Sequence, residues 1–229
     1  MNNLKEIKEI AEAFLYLDIE ESSIPGLIIH PFFESAYVMV DGIGLVNITE
    51  SEGNLQLARE KIQRIIEKAE SVRGIVSMIR KPDRLTFLKY IKEYLDNATF
   101  SELLGWIYVS TENPNADVNV SVSELEKWFQ NADKKELMSE EEFKMYENLP
   151  ELLTVYRGVG TGRVRDGLSW TKDINMAIWF ANRFNEKKGK TGYVLSAEIH
   201  KEDILAYFSK EEDEIINQKN DIIARSLLD

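Results

Sequence analysis

The hydrophobic pattern of this chain changes near residue 150, and that change limits the folds available to it. Before this point apolar residues recur at intervals of three and four, which is typical of amphipathic helices. The pattern predicts helices over residues 4–16, 55–72 and 85–95. After it, β-branched and aromatic runs alternate with glycines, which is typical of strands and tight turns. The sequence therefore predicts an α+β protein, with a mostly helical region over 1–150 and a strand-rich region over 151–229.

Two capping patterns predict helix starts shortly before the change. Ser123 with Glu126, and Ser139 with Glu142, match the capping box, in which serine and glutamate side chains satisfy each other's backbone amides. The helix that begins at the second box is expected to end before Pro150, because proline cannot continue a helix.

The strand-rich region predicts a small sheet with one helix in it. Residues 154–157 form the first expected strand, and a glycine-rich turn leads to a second over 168–171. Residues 173–184 then carry apolar side chains at helical spacing. Further strands are expected at 192–199, 204–208 and 214–216.

Composition excludes several classes of function. The chain has 40 acidic and 28 basic residues and a formal charge of −12, which repels phosphate backbones, so no nucleic-acid partner is expected. It has no cysteine and only two histidines, so we expect no disulfide, no thiolate chemistry and no metal. Its first twenty residues are charged throughout, and its apolar runs are too short to span a bilayer. We expect a soluble, cytoplasmic protein without a membrane partner.

Common nucleotide and hydrolase motifs do not fit the glycine-rich stretch. Glycines at 158, 160 and 162 are followed by Arg163, which breaks the dinucleotide-binding pattern G-x-G-x-x-G. Neither a P-loop nor a G-x-S-x-G nucleophile elbow is present in the sequence.

Two local charge patterns stand out. Residues 154–165 contain three arginines and no acid, and arginine beside glycine amides suits a phosphate group. Residues 201–214 contain six acids and end directly before two isoleucines. In an extended chain Glu212 and Glu214 point to one face, where paired carboxylates repel each other. The alternative for this acidic stretch is a solvated turn.

Three motifs in this order resemble the ADP-ribosyltransferases of the arginine–serine–glutamate, cholera-toxin-like class. They are Tyr-Arg-Gly at 156–158, Leu-Ser-Trp-Thr at 168–171 and Glu-x-Glu-Ile-Ile at 212–216. The resemblance covers about the last 75 residues and implies a compact split-β-sheet, NAD-binding module over 151–229. The stretch WIYVSTENPN, together with YRG, also resembles uncharacterised phage and bacterial proteins that join a helical region to such a module.

The resemblance implies a role for each matching residue. Arg157 is expected to hold the NAD phosphate and nicotinamide-ribose side, and Gly158 to let its backbone approach the nicotinamide carboxamide. Ser169, in place of the first serine of the S-T-S motif, would orient Arg157 and Glu214. Thr171 keeps a hydroxyl in place of the last serine.

Glu214 matches the catalytic glutamate, and Glu212 its partner that often marks arginine as the acceptor. Phe180 either packs in the core or stacks on nicotinamide. The implied function is mono-ADP-ribosyl transfer from NAD, used as a substrate without a metal, to a protein side chain, with arginine as the expected acceptor.

Two departures from the family keep a second function open. Ser169 follows Arg157 by only twelve positions, and the middle of the S-x-T motif is the bulky Trp170. They favour a catalytically inactive interaction protein on the same fold, as a phage particle component or a host-protein inhibitor. RNA phosphate transfer on a related fold is disfavoured by the acidic charge. Because 151–229 is short for this fold, the helices before it are expected to pack on the module and help to build the site.

Overall fold

The computed structural model describes residues 2–183, 192–209, 214–218 and 225–226. The chain divides into two units, Met1–Asp96 and Asn97–Asp229. Helices dominate its N-terminal region and a sheet its C-terminal part, which confirms the predicted α+β class.

The first unit is built around helix α1 (Leu4–Leu15). This helix packs against α2 (Glu52–Lys68), α3 (Val72–Met78) and α4 (Arg84–Ile91). Its fully buried face carries Ile7, Ala11 and Leu15. Burial of each large aliphatic side chain stabilises the fold by about 1.5–3 kcal/mol, so this face explains why the predicted first helix forms.

The helix predicted over 55–72 is broken in the structure. Helix α2 ends at Lys68, and α3 begins after Ser71, whose side chain accepts the N–H of Gly74 at 3.1 Å. A serine that caps a helix satisfies one of its free amides, so a new helix starts where periodicity alone predicts continuation.

Short antiparallel strands complete the first unit. Strand β1 (Glu20–Glu21) pairs with β2 (Ile28–Ile29), and β3 (Tyr37–Val40) pairs with β4 (Gly44–Asn47). The run Ala36–Val40, for which periodicity does not choose between helix and strand, is therefore mostly strand.

His30 is a buried, neutral histidine in the first unit. Its ring is only 1% exposed and its Nδ1 accepts the N–H of Phe32 at 3.1 Å. Its Nε2 meets no hydrogen-bond partner among the described residues. Burial, and then the positive charge of Arg59, lowers the pKa of His30 to about 4.

Acidification should therefore destabilise the first unit through His30. The unfolded chain takes up a proton near pH 6.5 and the folded chain only near pH 4, so stability falls across that window, by roughly 3 kcal/mol in full. The variant His30→Asn keeps an acceptor for Phe32. We expect its free energy of unfolding to fall by about 2–3 kcal/mol less than that of the parent between pH 7 and pH 4.5. Urea unfolding followed by far-UV circular dichroism measures this. Equal curves for His30→Asn and the parent would contradict the prediction.

The second unit contains a six-stranded antiparallel sheet in the order β10-β7-β5-β6-β9-β8. The strands are β5 (Leu152–Val159), β6 (Ser169–Thr171), β7 (Tyr193–His200), β8 (Ile204–Phe208), β9 (Glu214–Asn217) and β10 (Arg225–Ser226). Strands β5 and β7 pair along eight residues, whereas β5 and β6 pair only at Tyr156 and Thr171. The sheet thus consists of two three-stranded halves joined at one residue pair.

Helices that precede residue 150 belong to the same unit as this sheet. They are α5 (Asn97–Ser110), α6 (Val122–Asn131), α7 (Lys134–Leu137) and α8 (Glu140–Glu147). Helices α6, α7 and α8 pack against β8, every residue of which is buried. Because of these contacts the chain divides after Asp96 and not at the expected boundary of residue 150. The prediction that helices before 150 pack on the strand-rich region is confirmed for α6, α7 and α8.

The two predicted capping boxes have different outcomes. At α8 the box of Ser139 and Glu142 is present in full. At α6 the cap is Ser121, which accepts the N–H of Glu124 at 3.2 Å, so the prediction of Ser123 is wrong by two residues. Both serines sit in similar local sequence, and the helix starts at the one whose backbone is extended.

Helix α9 (Ile174–Asn182) crosses β5 and β7 on one face of the sheet. Its buried Ala177 and Ala181 pack with Val194 of β7. The helix comes so close that a Cβ on Gly158 would overlap the carbonyl of Ala177 and lie 2.6 Å from the amide of Ala181. The close approach of helix and strand requires glycine at this position.

Gly158→Ala should therefore destabilise the second unit. We expect a loss of about 1–3 kcal/mol, because the added methyl group meets backbone and not the end of a mobile side chain. Thermal or urea unfolding measures the change. Gly53→Ala is the matched control, since only Ser51 Oγ lies near its added methyl, at 3.9 Å, and alanine in a helix should stabilise by about 0.5–1 kcal/mol. A Gly158→Ala protein as stable as the parent would contradict the packing of α9.

Candidate functional site

Four of the predicted site residues lie on three adjacent strands. Arg157 is on β5, Ser169 and Thr171 are on β6, and Glu214 is on β9. Thr171 pairs with Tyr156 on one side and with Glu214 on the other. Residues opposite each other in an antiparallel pair point to the same face, as do residues two apart on a strand. Ser169, Thr171 and Glu214 therefore share one face of β6 and β9.

Trp170 does not crowd that face. It lies between Ser169 and Thr171 and pairs with Ile215, so it points to the opposite side of the sheet. It is 5% exposed there. The bulky middle residue of the S-x-T motif is thus part of the core.

Arg157 is buried and bonded to backbone carbonyls. Its guanidinium donates to the carbonyls of Val164 at 2.7 Å, Arg165 at 3.1 Å and Ser169 at 2.6 Å. A Cβ on Gly167 would overlap the guanidinium, so this glycine makes room for it. Arg157 thereby ties the glycine-rich loop to β6, with only 7% of its surface exposed.

A second arginine holds the same loop from outside. Nη1 of Arg163 donates to the carbonyl of Glu112 at 2.6 Å and to Oδ1 of Asn113 at 3.1 Å. The three arginines predicted as a phosphate-binding run thus differ in role, since only Arg165 is largely exposed, beside Asp166.

The site combines one positive and one negative charge. Burial lowers the pKa of Arg157, and the negative charge of Glu214 opposes that shift. Burial also raises the pKa of the Tyr108 hydroxyl, with the negative charge of Glu214 adding to the effect. Glu214, which is half-buried, therefore acts on both groups.

Two site residues were not predicted from the sequence. The Tyr108 hydroxyl, on α5, lies 2.8 Å from Ser169 Oγ, and Asn115 Nδ2 lies 3.0 Å from the Tyr108 hydroxyl and 3.3 Å from Ser169 Oγ. Oδ1 of Asn115 accepts the N–H of Leu168 at 3.0 Å. Both residues fall in the stretch WIYVSTENPN, whose resemblance to other proteins was the signal that could have found them. Asn115 lies in the short turn after α5 and is only 8% exposed.

Gly158 and Phe180 lie together at helix α9. Cβ of Phe180 would be 2.8 Å from a Cβ on Gly158, so the helix covers that side of the strand. A nicotinamide carboxamide could reach this side of Gly158 only if α9 moved. Phe180 is half-buried and makes an edge contact with Trp179 at 4.9 Å between ring centroids.

Glu212, the expected second carboxylate, lies outside the described residues. Within the described ranges, no group of three or more histidine, aspartate or glutamate side chains could hold a metal ion. None of the helices described there combines the length and the apolar character needed to cross a bilayer.

An open groove of about 850 Å³ lies elsewhere on the second unit. It runs along α8 and the start of β5, and reaches Lys172 and Tyr207. Its volume is in the range of small-molecule sites, but Arg157, Ser169 and Glu214 do not line it. The predicted residues and the groove are therefore separate features of the unit.

Comparison of the chain with protein-family models, with curated proteins and with solved structures found no match.

Proposed function

We propose that this protein transfers ADP-ribose from NAD to a protein side chain. The observation that carries the proposal is that Arg157, Ser169 and Glu214, which are separated in sequence, lie on the adjacent strands β5, β6 and β9, where the Arg157 guanidinium donates to the Ser169 carbonyl. The resemblance to the arginine–serine–glutamate transferases requires these three residues to lie on neighbouring strands. The split of the sheet at a single residue pair is also what that family's module predicts.

The chemistry needs a carboxylate where Glu214 lies. The bond between C1′ of the ribose and the nicotinamide nitrogen breaks, and its electron pair leaves with neutral nicotinamide. Positive charge then develops on the ribose, as in glycoside cleavage. A carboxylate that binds a ribose hydroxyl stabilises that charge more in the transition state than in the ground state.

The acceptor completes the reaction. Its nucleophilic atom forms a bond to C1′, and its proton passes to a base. Glu212 is the base that the resemblance assigns for an arginine acceptor, whose guanidinium is otherwise protonated.

In this proposal Arg157 has a structural role, because it holds the glycine-rich loop against β6 beside the site. Three of its N–H groups are used on the carbonyls of 164, 165 and 169, so the guanidinium holds the glycine-rich loop in place. Its positive charge also interacts electrostatically with the carboxylate of Glu214. Thr171, which is 5% exposed and pairs with Glu214, fixes the position of β9 against β6.

The direct test uses the purified full chain with NAD. We expect release of nicotinamide, and transfer of labelled ADP-ribose when an arginine-rich protein is added. Absence of both, over NAD concentrations up to the millimolar range, would overturn the proposal.

A second function is favoured by one observation, the burial of Arg157 among backbone carbonyls. In the first unit Arg59 and Arg80 likewise donate to carbonyls of residues distant in sequence, and these bonds hold loops in place. A catalytically inactive interaction protein that keeps the fold as a scaffold would use Arg157 in the same way. Calorimetry separates the two functions, since the scaffold predicts no heat of binding with millimolar NAD.

A further inference from the structure

The hydroxyl of Ser169 lies in a network that restricts where its hydrogen points. Asn115 can be oriented in only one way, because the N–H of Leu168 is a donor and must face Oδ1. The amide nitrogen Nδ2 therefore faces Tyr108 and Ser169, and donates to both oxygens.

The Tyr108 hydroxyl is the donor toward Ser169. A phenol is more acidic than an aliphatic alcohol, so it is the better donor when the two meet. The Ser169 oxygen is also nearer, at 2.8 Å, than Oδ1 of Asn115 at 3.3 Å, which already accepts from Leu168. Burial keeps Tyr108 protonated, because it raises the pKa of the phenol.

Ser169 thus accepts two hydrogen bonds, one from Tyr108 and one from Asn115. A hydroxyl has two acceptor lone pairs and one hydrogen, so both lone pairs are used and the hydrogen must go to a third group. Ser169 shares a face of the sheet with Glu214, whose charge reaches Tyr108. The hydrogen is available for the Glu214 carboxylate or for a ribose hydroxyl bound beside it.

We propose that Tyr108 and Asn115 are positioning residues that orient Ser169 as a hydrogen-bond donor at the reacting centre. Both come from the helical segment before residue 150, so the strand-rich region does not form a complete site alone. The inference rests on the proposed transfer of ADP-ribose, since it concerns the same site. It adds that the catalytic face depends on α5 and on the turn that follows it.

The test is a double-mutant cycle on nicotinamide release by the full chain. Tyr108→Phe should lower kcat about tenfold with little change in KM for NAD, since one oriented hydrogen bond is lost in the transition state. Ser169→Ala should lower kcat by at least as much. The double variant should be no slower than Ser169→Ala, because Tyr108 acts through Ser169.

Control variants separate positioning from folding. Tyr146→Phe removes another partly buried tyrosine hydroxyl of this unit, which bonds Lys134 at 2.6 Å, and should leave kcat unchanged. Asn115→Ala, which removes the second donor, should also lower kcat without raising KM, and unfolding curves establish that each variant is folded.

The outcomes distinguish this inference from the proposed function. No turnover by the parent protein overturns both. If the parent turns over NAD and the folded Tyr108→Phe variant has the parental kcat, only the positioning role is overturned. The same holds if the losses of kcat from Tyr108→Phe and Ser169→Ala multiply in the double variant. A lowered kcat that is not lowered further in the Ser169→Ala background supports it.

Discussion

Replacing Glu214 by glutamine is expected to lower the rate of nicotinamide release from NAD by about 10²–10³-fold. Glutamine keeps the shape of the side chain and the backbone pairing with Thr171, but it removes the negative charge. That charge matters most when positive charge develops on the ribose, so kcat should fall while KM for NAD changes little. Steady-state kinetics of nicotinamide release measures both constants.

Glu198→Gln is the matched control for this experiment. Glu198 is an exposed glutamate on β7, which is separated from β9 by β5 and β6, so its replacement changes the net charge equally without touching the site. We expect parental rates for this variant. A Glu214→Gln protein that releases nicotinamide as fast as the Glu198→Gln protein would show that the reaction takes place elsewhere.

Replacing Arg157 by methionine is expected to destabilise the second unit by about 3–5 kcal/mol. Methionine has a similar length but cannot donate, so it leaves the carbonyls of 164, 165 and 169 without this partner. A carbonyl that loses its buried donor costs more than the lost bond is worth on average. All four tryptophans of the chain lie in the second unit, so urea unfolding followed by tryptophan fluorescence monitors this unit.

Two further variants test the reason for this loss. Arg165→Met removes an arginine from the same loop whose side chain is 60% exposed, and should cost less than about 0.5 kcal/mol. Arg157→Lys keeps the charge, but its ammonium group cannot reach three carbonyls at once. We therefore expect a free energy of unfolding intermediate between those of the parent and Arg157→Met. A free energy of unfolding for Arg157→Met within about 1 kcal/mol of the parental value would show that the carbonyl contacts do not hold the loop.

Together the two experiments divide the site between chemistry and structure. In the transferase, Glu214→Gln lowers kcat in a protein of near-parental stability, whereas Arg157→Met lowers stability first. In an inactive scaffold Arg157→Met has the same effect on stability, and there is no NAD turnover for Glu214→Gln to lower.

Local patterns allowed most helices and strands of the second unit to be predicted. The strands at β5, β6, β8 and β9 follow from β-branched and aromatic runs, and α9 from its spaced apolar residues. Each of these signals depends on side chains within one turn or one strand. The failures arose where two nearby serines could each cap the helix, as at α6, or where a cap interrupts a regular pattern, as between α2 and α3.

The contents of the site were only partly predictable. Arg157, Ser169 and Glu214 were identified by resemblance, and the pairing of β5, β6 and β9 places them on adjacent strands. Their partners were not predicted, because Tyr108 and Asn115 are 61 and 54 residues from Ser169 in the sequence. A hydrogen bond across that separation leaves no periodic signal.

The sequence by itself determined which segments become helices and strands, and which residue types are available for chemistry, since propensity, spacing and charge are local properties. Only the tertiary structure decided that helices before residue 150 join the sheet, that α9 covers Gly158, and that Arg157 bonds carbonyls. The physical reason is that a buried guanidinium or hydroxyl takes whichever partners the packed chain brings within hydrogen-bond distance, and packing depends on contacts between distant segments.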